Sequence, residues 1–224
     1  MSVILTTENL NIFYQDKPIL ENINLTVNKN EIICLMGKSG SGKSTFLSAL
    51  NGFLAERNGR FEGNILFNGE DIRTKDKLWL RRKMSMLFQD SKPFPFSVEK
   101  NLTYAMEFYE KNIRHKKQRI ETLLKSVNLY GELNGDTGIS PDKLSGGQKQ
   151  RLCIARMLTT EPEILILDEP CSSLDLQNML IIEDLLKQLA KKYTLLIATH
   201  NLEQAKRLTD RIINIENKTF VESF

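Results

Sequence analysis

The sequence predicts an α/β fold in which the strands of a parallel sheet alternate with helices. Two short apolar runs, at residues 164–167 and 194–198, have the length and composition of strands buried on both faces. The segment between them, residues 176–190, has helical periodicity. A third apolar run at 32–36 leads through a glycine-rich loop into a further helical segment at 45–50. This alternation of strands and helices is typical of a parallel α/β sheet.

The N-terminal part of the chain has a different pattern. Short β-rich pieces at 12–14, 19–20 and 23–27 are separated by polar turns. A second hairpin is predicted at 63–72, where an Asn-Gly pair stands between apolar runs. These pieces predict an antiparallel sheet that precedes and follows the strand leading into the glycine-rich loop.

A mostly helical insertion is predicted in the middle of the chain. The strand predicted at 84–88 ends at Gln89, and two prolines follow it closely. Helical periodicity then appears at 98–109 and at 120–127. The predicted division of the chain is a single domain, 1–224, with a core and β subdomain at 1–89 and 151–224 and a helical subdomain at 90–150.

Composition limits the classes of partner. The 224 residues include 31 Lys and Arg against 28 Asp and Glu, a net charge of only +3, so no overall basic field favours a nucleic-acid partner. The three cysteines, Cys34, Cys153 and Cys171, lack the spacing of a zinc site or a disulfide framework, which favours a reducing compartment. No leader or membrane-spanning run is apparent, so we expect a cytoplasmic chain that reaches a membrane only through a partner.

Residues 37–44 read Gly-Lys-Ser-Gly-Ser-Gly-Lys-Ser, a complete G-x-x-x-x-G-K-[ST] phosphate loop. In such a loop the backbone amides surround the β-phosphate, and the helix N-terminus adds its partial positive charge. Lys43 would reach the β- and γ-phosphate oxygens, and Ser44 would offer its hydroxyl to Mg²⁺. The sequence therefore predicts a nucleoside triphosphate site. Its expected contacts are Gly37, Lys38, Ser39, Gly40, Ser41, Gly42, Lys43, Ser44 and Thr45.

Two acids directly follow the apolar run at 164–167. At the carboxyl edge of a parallel sheet, Asp168 and Glu169 would lie in the crevice beside the phosphate loop. Asp168 is suited to hold Mg²⁺, and Glu169 is suited to polarise an attacking water. These residues indicate hydrolysis of the bound triphosphate.

Residues 144–148 read Leu-Ser-Gly-Gly-Gln and precede a helical segment predicted at 150–158. Ser145, Gly146, Gly147 and Gln148 would present a hydroxyl and backbone amides at a helix N-terminus, a second anion-binding feature. With this motif upstream of the strand and its two acids, the sequence resembles the ATP-binding cassette (ABC) ATPases. The resemblance implies ATP as ligand and a P-loop NTPase (RecA-like) core with an N-terminal antiparallel β subdomain and an inserted α-helical subdomain.

The same resemblance implies roles for four further residues. Tyr14 stands where the family places an aromatic ring that stacks on adenine. Gln89 resembles the glutamine that reaches toward Mg²⁺ and the attacking water. Asp175, in a Ser-Leu-Asp segment, resembles the acid of the loop that crosses a dimer interface, and His200 resembles the histidine that contacts the γ-phosphate. The implied catalytic set is Lys43, Gln89, Glu169 and His200, and the implied magnesium ligands are Ser44, Gln89 and Asp168.

In this family the signature of one subunit closes over the nucleotide of another. The resemblance therefore implies a head-to-tail homodimer with two ATP molecules, in which Ser145 and Gly147 of one copy face the γ-phosphate bound by the other. It also implies transmembrane permease subunits as partners, a peripheral position on the cytoplasmic face of the inner membrane and, indirectly, a substrate-binding protein.

Within the family, residues 93–102, Cys153 and Cys171 resemble the importer branch and its phosphate-uptake ATPases. The implied function is ATP hydrolysis that powers import of inorganic phosphate through a permease. One alternative is a cassette for another importer or an exporter. Another is a soluble ABC ATPase outside transport, although that class usually has a coiled-coil insertion or tandem cassettes and this sequence has neither. A GTPase or small-molecule kinase is excluded because no Asn-Lys-x-Asp motif is present and the Leu-Ser-Gly-Gly-Gln motif would be unexplained.

Overall fold

The computed structural model describes residues 2–110 and 112–223. Met1, Lys111 and Phe224, which the predicted subdomain ranges include, lie outside the described residues. The strands are β1 (Val3–Tyr14), β2 (Lys17–Asn28), β3 (Ile32–Met36), β4 (Gly59–Phe67), β5 (Glu70–Asp71), β6 (Met84–Leu87), β7 (Ile164–Asp168), β8 (Thr194–Ala198), β9 (Ile212–Glu216) and β10 (Thr219–Ser223). The helices are α1 (Lys43–Leu50), α2 (Lys77–Lys83), α3 (Val98–Tyr109), α4 (Lys116–Ser126), α5 (Gly146–Leu158), α6 (Leu176–Ala190) and α7 (Leu202–Leu208).

The central sheet has the strand order β10-β9-β3-β8-β7-β6. All of its neighbouring strands are parallel except the closing β9–β10 hairpin. Because β3, β6, β7 and β8 run in the same direction, the loops that follow them lie at one edge of the sheet. The predicted parallel α/β sheet is confirmed, and its carboxyl edge gathers the candidate site.

Side chains of the central strands alternate between two apolar cores. Cys34 of β3 packs into the core formed with α5 and α6, whereas its neighbours Ile33 and Leu35 pack against α1 and the N-terminal strands. Strands β7 and β8 alternate in the same way. The sheet is therefore covered on both faces, which fixes the position of its carboxyl edge.

The second sheet is antiparallel, with the order β2-β1-β4-β5. The separate pieces predicted at 19–20 and 23–27 were wrong, because they belong to one continuous strand, β2. Asn22, between them, has a left-handed backbone with φ of 53°, and the pairing register with β1 shifts nearby. The polar interruption is thus a bulge and not a turn. The predicted Asn68-Gly69 hairpin is confirmed, with both residues at positive φ.

The helical insertion contains α3 with the predicted bounds and α4, which begins at Lys116, four residues before the predicted helical segment at 120–127. Helix α5 begins at Gly146, inside the signature motif, four residues before its predicted start. The predicted subdomain boundary at 150–151 falls within this helix, so α5 belongs physically to both parts. No helix in the described ranges is long and apolar enough to cross a membrane.

Candidate active site

The phosphate loop connects β3 to α1, and its backbone requires glycine at defined points. Gly42 is the N-cap of α1 with φ of 109°, and a Cβ there would lie 3.1 Å from the Leu20 side chain. Gly37 has φ of 153°, and a Cβ there would lie 2.5 Å from Ser41 Oγ. No side chain caps the N-terminus of α1. The amides of its first turn therefore remain available to an anion.

Lys43 places its ammonium group inside this loop. Its Nζ donates to the carbonyl oxygen of Gly37 at 2.8 Å and to that of Lys38 at 3.4 Å. Glu169 Oε1 lies 3.9 Å from the same nitrogen, and both side chains are about nine-tenths buried. The cation is thus held at the centre of the loop, where phosphate oxygens could replace its carbonyl partners.

Asp168 ends β7 with its side chain buried among the site residues. Its Oδ1 has no hydrogen-bond partner in the described part of the chain. Burial raises the pKa of this carboxyl, while the neighbouring Ser44 hydroxyl acts in the opposite direction. An unpaired buried carboxylate oxygen beside a hydroxyl fits a Mg²⁺ ion, which prefers oxygen ligands and usually keeps several waters. No cluster of three or more His, Cys, Asp or Glu side chains suited to a metal occurs among the residues described.

Glu169 joins the ends of two strands. Its backbone has φ of 51°, in the left-handed region, and its N–H donates to the carbonyl oxygen of Ala198 in β8 at 2.9 Å. Its Oε2 lies 2.8 Å from Nδ1 of His200. The Glu169 side chain is 10% exposed, whereas that of His200 is 67% exposed. Glu169 is therefore held between the ammonium group of Lys43 and an imidazole that faces solvent.

These groups line a cavity of about 410 Å³. Its lining residues are Ser39 to Thr45, Gln89, Asp168, Glu169 and His200. A second cavity of about 660 Å³ shares residues 39–41 with the first and extends to residues 17–19 and 214–218. Gly37 and Lys38 line this second cavity, but Tyr14 lines neither of them. Tyr14 is half-buried and pairs with Lys17, so it lies at the border of the second cavity.

The signature residues lie outside both cavities. Ser145 caps α5: its Oγ accepts from the Gln148 N–H at 3.2 Å, and its own N–H donates to Gln148 Oε1 at 2.9 Å. Ser145 and Gly146 are exposed, whereas Gly147 is buried. The structure therefore does not bring the signature to the phosphate loop of the same chain.

The signature is instead attached to the start of α6. A Cβ at Gly147 would lie 2.1 Å from Oδ1 of Asn178. The carboxylate of Asp175 accepts from the Asn178 backbone N–H at 2.9 Å and from its side-chain amide at 2.7 Å. These hydrogen bonds lower the pKa of Asp175. Asp175 and Gly147, both predicted site residues, are thus connected through Asn178, which the sequence analysis did not identify.

An ion pair beneath the signature was also missed. Arg151, which is 4% exposed at its side chain, pairs through both guanidinium nitrogens with Glu132 at 2.7 Å. Gln148 donates to the same carboxylate at 3.0 Å. The hydrogen bonds from Arg151 are the main reason that the pKa of Glu132 is lowered. This pair holds the Gln148 side chain, and no local sequence signal indicates it.

The fold and the site define a nucleotide-binding α/β protein. It has a phosphate loop, two acids at the adjacent strand end and a signature motif that lies apart from the phosphate loop of its own chain. The profile described as ABC transporter matches residues 20–172. The phosphate import ATP-binding protein PstB 2 of Listeria monocytogenes serotype 4b (strain F2365) is 41% identical over 210 residues, covering 92% of this chain and 78% of the relative. The phosphate import ATP-binding protein PstB of Borreliella burgdorferi is 43% identical over 213 residues, covering 93% and 82%.

Solved structures give the same result for the fold. The cbiO1 protein from Clostridium perfringens, part of the ABC transporter complex cbiONQ, superposes with a TM-score of 0.87 at 28% sequence identity. The match covers 99% of this chain and 88% of the cbiO1 chain. A bacterial Atm1-family ABC exporter with ATP bound gives 0.80 at 26% identity, covering 99% of this chain and 38% of the exporter. The chain belongs to the ABC transporter family, in which it is an ATP-binding, ATP-hydrolysing subunit.

Proposed function

We propose that this chain hydrolyses ATP to power import of inorganic phosphate through a transmembrane permease. The phosphate assignment is supported by the relatives at 41–43% identity, which are named phosphate import ATP-binding proteins and match more than nine-tenths of this chain. The observation that carries the chemistry is the position of the Glu169 carboxylate, between Lys43 and His200 at the phosphate-loop cavity.

Binding of the triphosphate uses the loop amides and Lys43. The first-turn amides of α1 have no side-chain cap, and they point toward the anion. Lys43 exchanges its bonds to the carbonyl oxygens of Gly37 and Lys38 for bonds to β- and γ-phosphate oxygens. Tyr14 stacks on the adenine from the border of the second cavity, which holds the base and ribose.

Hydrolysis follows from the groups around the γ-phosphate. Glu169 polarises the attacking water, and the ring N–H of His200, which lies beside Glu169 in the structure, donates to a γ-phosphate oxygen once the nucleotide is bound. Gln89, exposed at the end of β6, helps to place the water. Mg²⁺, held by Ser44, Asp168 and Gln89, would neutralise negative charge on the phosphates. Catalysis is therefore positioning and charge stabilisation rather than covalent chemistry.

A second copy of the chain completes the site. Ser145 and Gly146 are exposed at a capped helix N-terminus that faces no phosphate loop in its own chain. In a head-to-tail dimer, Ser145 and Gly147 of each copy close over the γ-phosphate bound by the other. Asp175 lies at the same interface, since Asn178 connects it to Gly147. Loss of the γ-phosphate then removes the bridge between the copies, and the dimer opens.

The helical subdomain has a surface suited to contact with a permease. A groove of about 800 Å³ runs between β6, α3 and α5, and aromatic side chains line it. Phe108 is 67% exposed and Tyr104 is 52% exposed, values that are high for large apolar residues. We assign this groove to a segment of the permease. The chain is then a peripheral subunit on the cytoplasmic face of the inner membrane, and a phosphate-binding protein acts on the opposite face.

The test starts from the Glu169→Gln variant with MgATP, which we expect to hold the nucleotide and the dimer. Affinity purification from native membranes and cytosol, with wild type as control, identifies the bound proteins. The wild-type complex is then reconstituted in liposomes, and ATPase activity is measured with and without phosphate-loaded binding protein. A multispanning permease and phosphate-dependent stimulation are expected. Stimulation by another substrate would overturn the phosphate assignment alone, whereas soluble proteins as the only partners would contradict transport.

A further inference from the structure

His200 is placed by its backbone rather than by packing of its ring. The imidazole is 67% exposed, and its contact with Glu169 is the one polar interaction that the described residues give it. The position of the imidazole therefore depends on the backbone of the loop that carries it. Thr199, immediately before His200, is 1% exposed and donates its N–H to the Leu35 carbonyl of β3 at 3.0 Å.

The buried side chain of Gln204 closes this loop. Gln204 is 2% exposed, and its Oε1 accepts the Thr199 hydroxyl at 2.7 Å. The Thr199 hydroxyl oxygen in turn accepts the Asn201 N–H at 3.1 Å, and Asn201 Oδ1 accepts the Gln204 N–H at 3.0 Å. His200 thus lies within a closed set of hydrogen bonds that involves the residues on both sides of it.

The amide nitrogen of Gln204 is unsatisfied. Gln204 Nε2 is buried and forms no hydrogen bond within the residues described. The two loops meet next to Thr199, because the Glu169 N–H donates to the carbonyl oxygen of Ala198 at 2.9 Å.

Gln204 is not needed to attach α7 to the protein. Arg207 pairs with buried Glu183 of α6 at 2.7 and 2.9 Å, and Ala205 and Leu208 pack into the core. These contacts hold the helix whether or not residue 204 carries an amide. A buried polar group that is half satisfied costs stability, and such a cost is typical of a functional constraint.

The geometry points to Gln204 as a positioning residue for ATP hydrolysis, which sets the His200 loop against the Glu169 loop through the Thr199 hydroxyl. This inference rests on the proposed roles of Glu169 and His200. Gln204 does not line the nucleotide cavity, so it acts on the site through Thr199.

The test compares Gln204→Met and Thr199→Val, which keep the side-chain volume and remove the hydrogen bond. Each is expected to lower kcat by about fivefold to tenfold, the equivalent of one neutral hydrogen bond, with an unchanged ATP affinity. The double variant is expected to lose no more than Thr199→Val alone, because that variant already removes the hydrogen bond to Gln204 together with the one from the Asn201 N–H. Thr199→Ser keeps the hydroxyl and should retain the wild-type rate. Lys206 is exposed on the same helix, and Lys206→Met serves as a control.

A spectroscopic measurement separates positioning from a structural role. The chain has two histidines, and the other, His115, is exposed in the helical subdomain and serves as an internal reference. In ¹⁵N-histidine spectra, Gln204→Met is expected to move the His200 Nδ1 resonance toward the value of a free imidazole and to leave that of His115 unchanged. A wild-type kcat and an unmoved His200 resonance in Gln204→Met would overturn the inference. Absence of ATP hydrolysis in the wild type would instead contradict the proposed function.

Discussion

Nδ1 of His200 lies 2.8 Å from Oε2 of Glu169, and this contact connects the segments that follow β8 and β7 at the phosphate-loop cavity. Glu169 is nearly buried and His200 is mostly exposed, so the pair spans the wall of the cavity from its interior to solvent. The carboxylate holds the imidazole at the cavity, where its ring N–H can exchange Glu169 for a phosphate oxygen as hydrogen-bond acceptor.

His200→Ala is expected to reduce ATP turnover by about 100-fold, because one preorganised donor to the transferring phosphate is lost. ATP affinity should change little, since Lys43 and the loop amides remain. Steady-state ATPase assays and equilibrium nucleotide binding measure the two effects separately. His115→Ala is the matched control and should retain wild-type turnover. Equal losses in both variants would contradict a specific role for His200.

Asp168→Asn should make the nucleotide-free protein more stable at neutral pH. Burial raises the native pKa of Asp168, so the ionised carboxylate costs folding free energy. This cost is absent below the ordinary carboxyl pKa of about 4, grows as the pH rises from there to the raised native pKa, and is constant above it. The amide removes the cost, and it also removes a proposed Mg²⁺ ligand.

Thermal unfolding of wild type and Asp168→Asn across this pH range measures the difference. The variant should have the higher Tm at pH 7, converge with wild type near pH 4, and lose about 100-fold or more in Mg²⁺-dependent ATPase activity. A lower Tm at pH 7 would mean that neighbouring groups stabilise the charge, contrary to this account.

Gly147→Ala should disrupt the signature, while Gly146→Ala should fit. A Cβ at Gly147 would lie 2.1 Å from Asn178 Oδ1, whereas one at Gly146 would meet nothing closer than 3.6 Å. Displacing Asn178 should cost about 1–3 kcal/mol of the free energy of unfolding and move Asp175. Adding Asn178→Ala to Gly147→Ala should recover part of the stability, as measured by urea unfolding. Equal effects of the two alanines would contradict the steric argument.

Two inactive variants should complement each other if the site is shared between copies. Lys43→Ala loses nucleotide affinity, and Ser145→Ala loses the signature hydroxyl. A mixed dimer of the two contains one site with both defects and one intact site. An equal mixture should recover up to about a quarter of wild-type ATPase activity, since half of the dimers are mixed and each has one working site. A mixture no more active than its components would contradict the composite site.

Local patterns were enough to identify the segments that line the candidate cavity. The phosphate loop, the Asp168-Glu169 pair and the signature each consist of contiguous residues at a strand end or a helix start, so their sequence fixes their local geometry. The parallel arrangement then follows from two-sided burial of β3, β7 and β8. Convergence of these segments at one sheet edge could therefore be expected from sequence.

Contacts between distant segments could not be predicted in this way. Asn178 against Gly147, Glu132 beneath Gln148 and Gln204 against Thr199 each depend on how two elements pack, and ordinary polar residues carry them. The helices α2 and α7 were missed because seven residues show too little periodicity. The polar pair Glu21-Asn22 in β2 resembled a turn, whereas Asn22 adopts a positive φ in a bulge.

The most direct test of the account is ATP turnover and nucleotide binding by Glu169→Gln, measured together with its mass in solution. The amide keeps the shape and the contact to His200 but cannot accept a proton, so ATP and Mg²⁺ should still bind. Single-turnover hydrolysis should fall by about 100-fold or more, and the ATP-bound protein should sediment as a dimer. Wild-type turnover in this variant would show that Glu169 is not the catalytic carboxylate and would contradict the proposed mechanism.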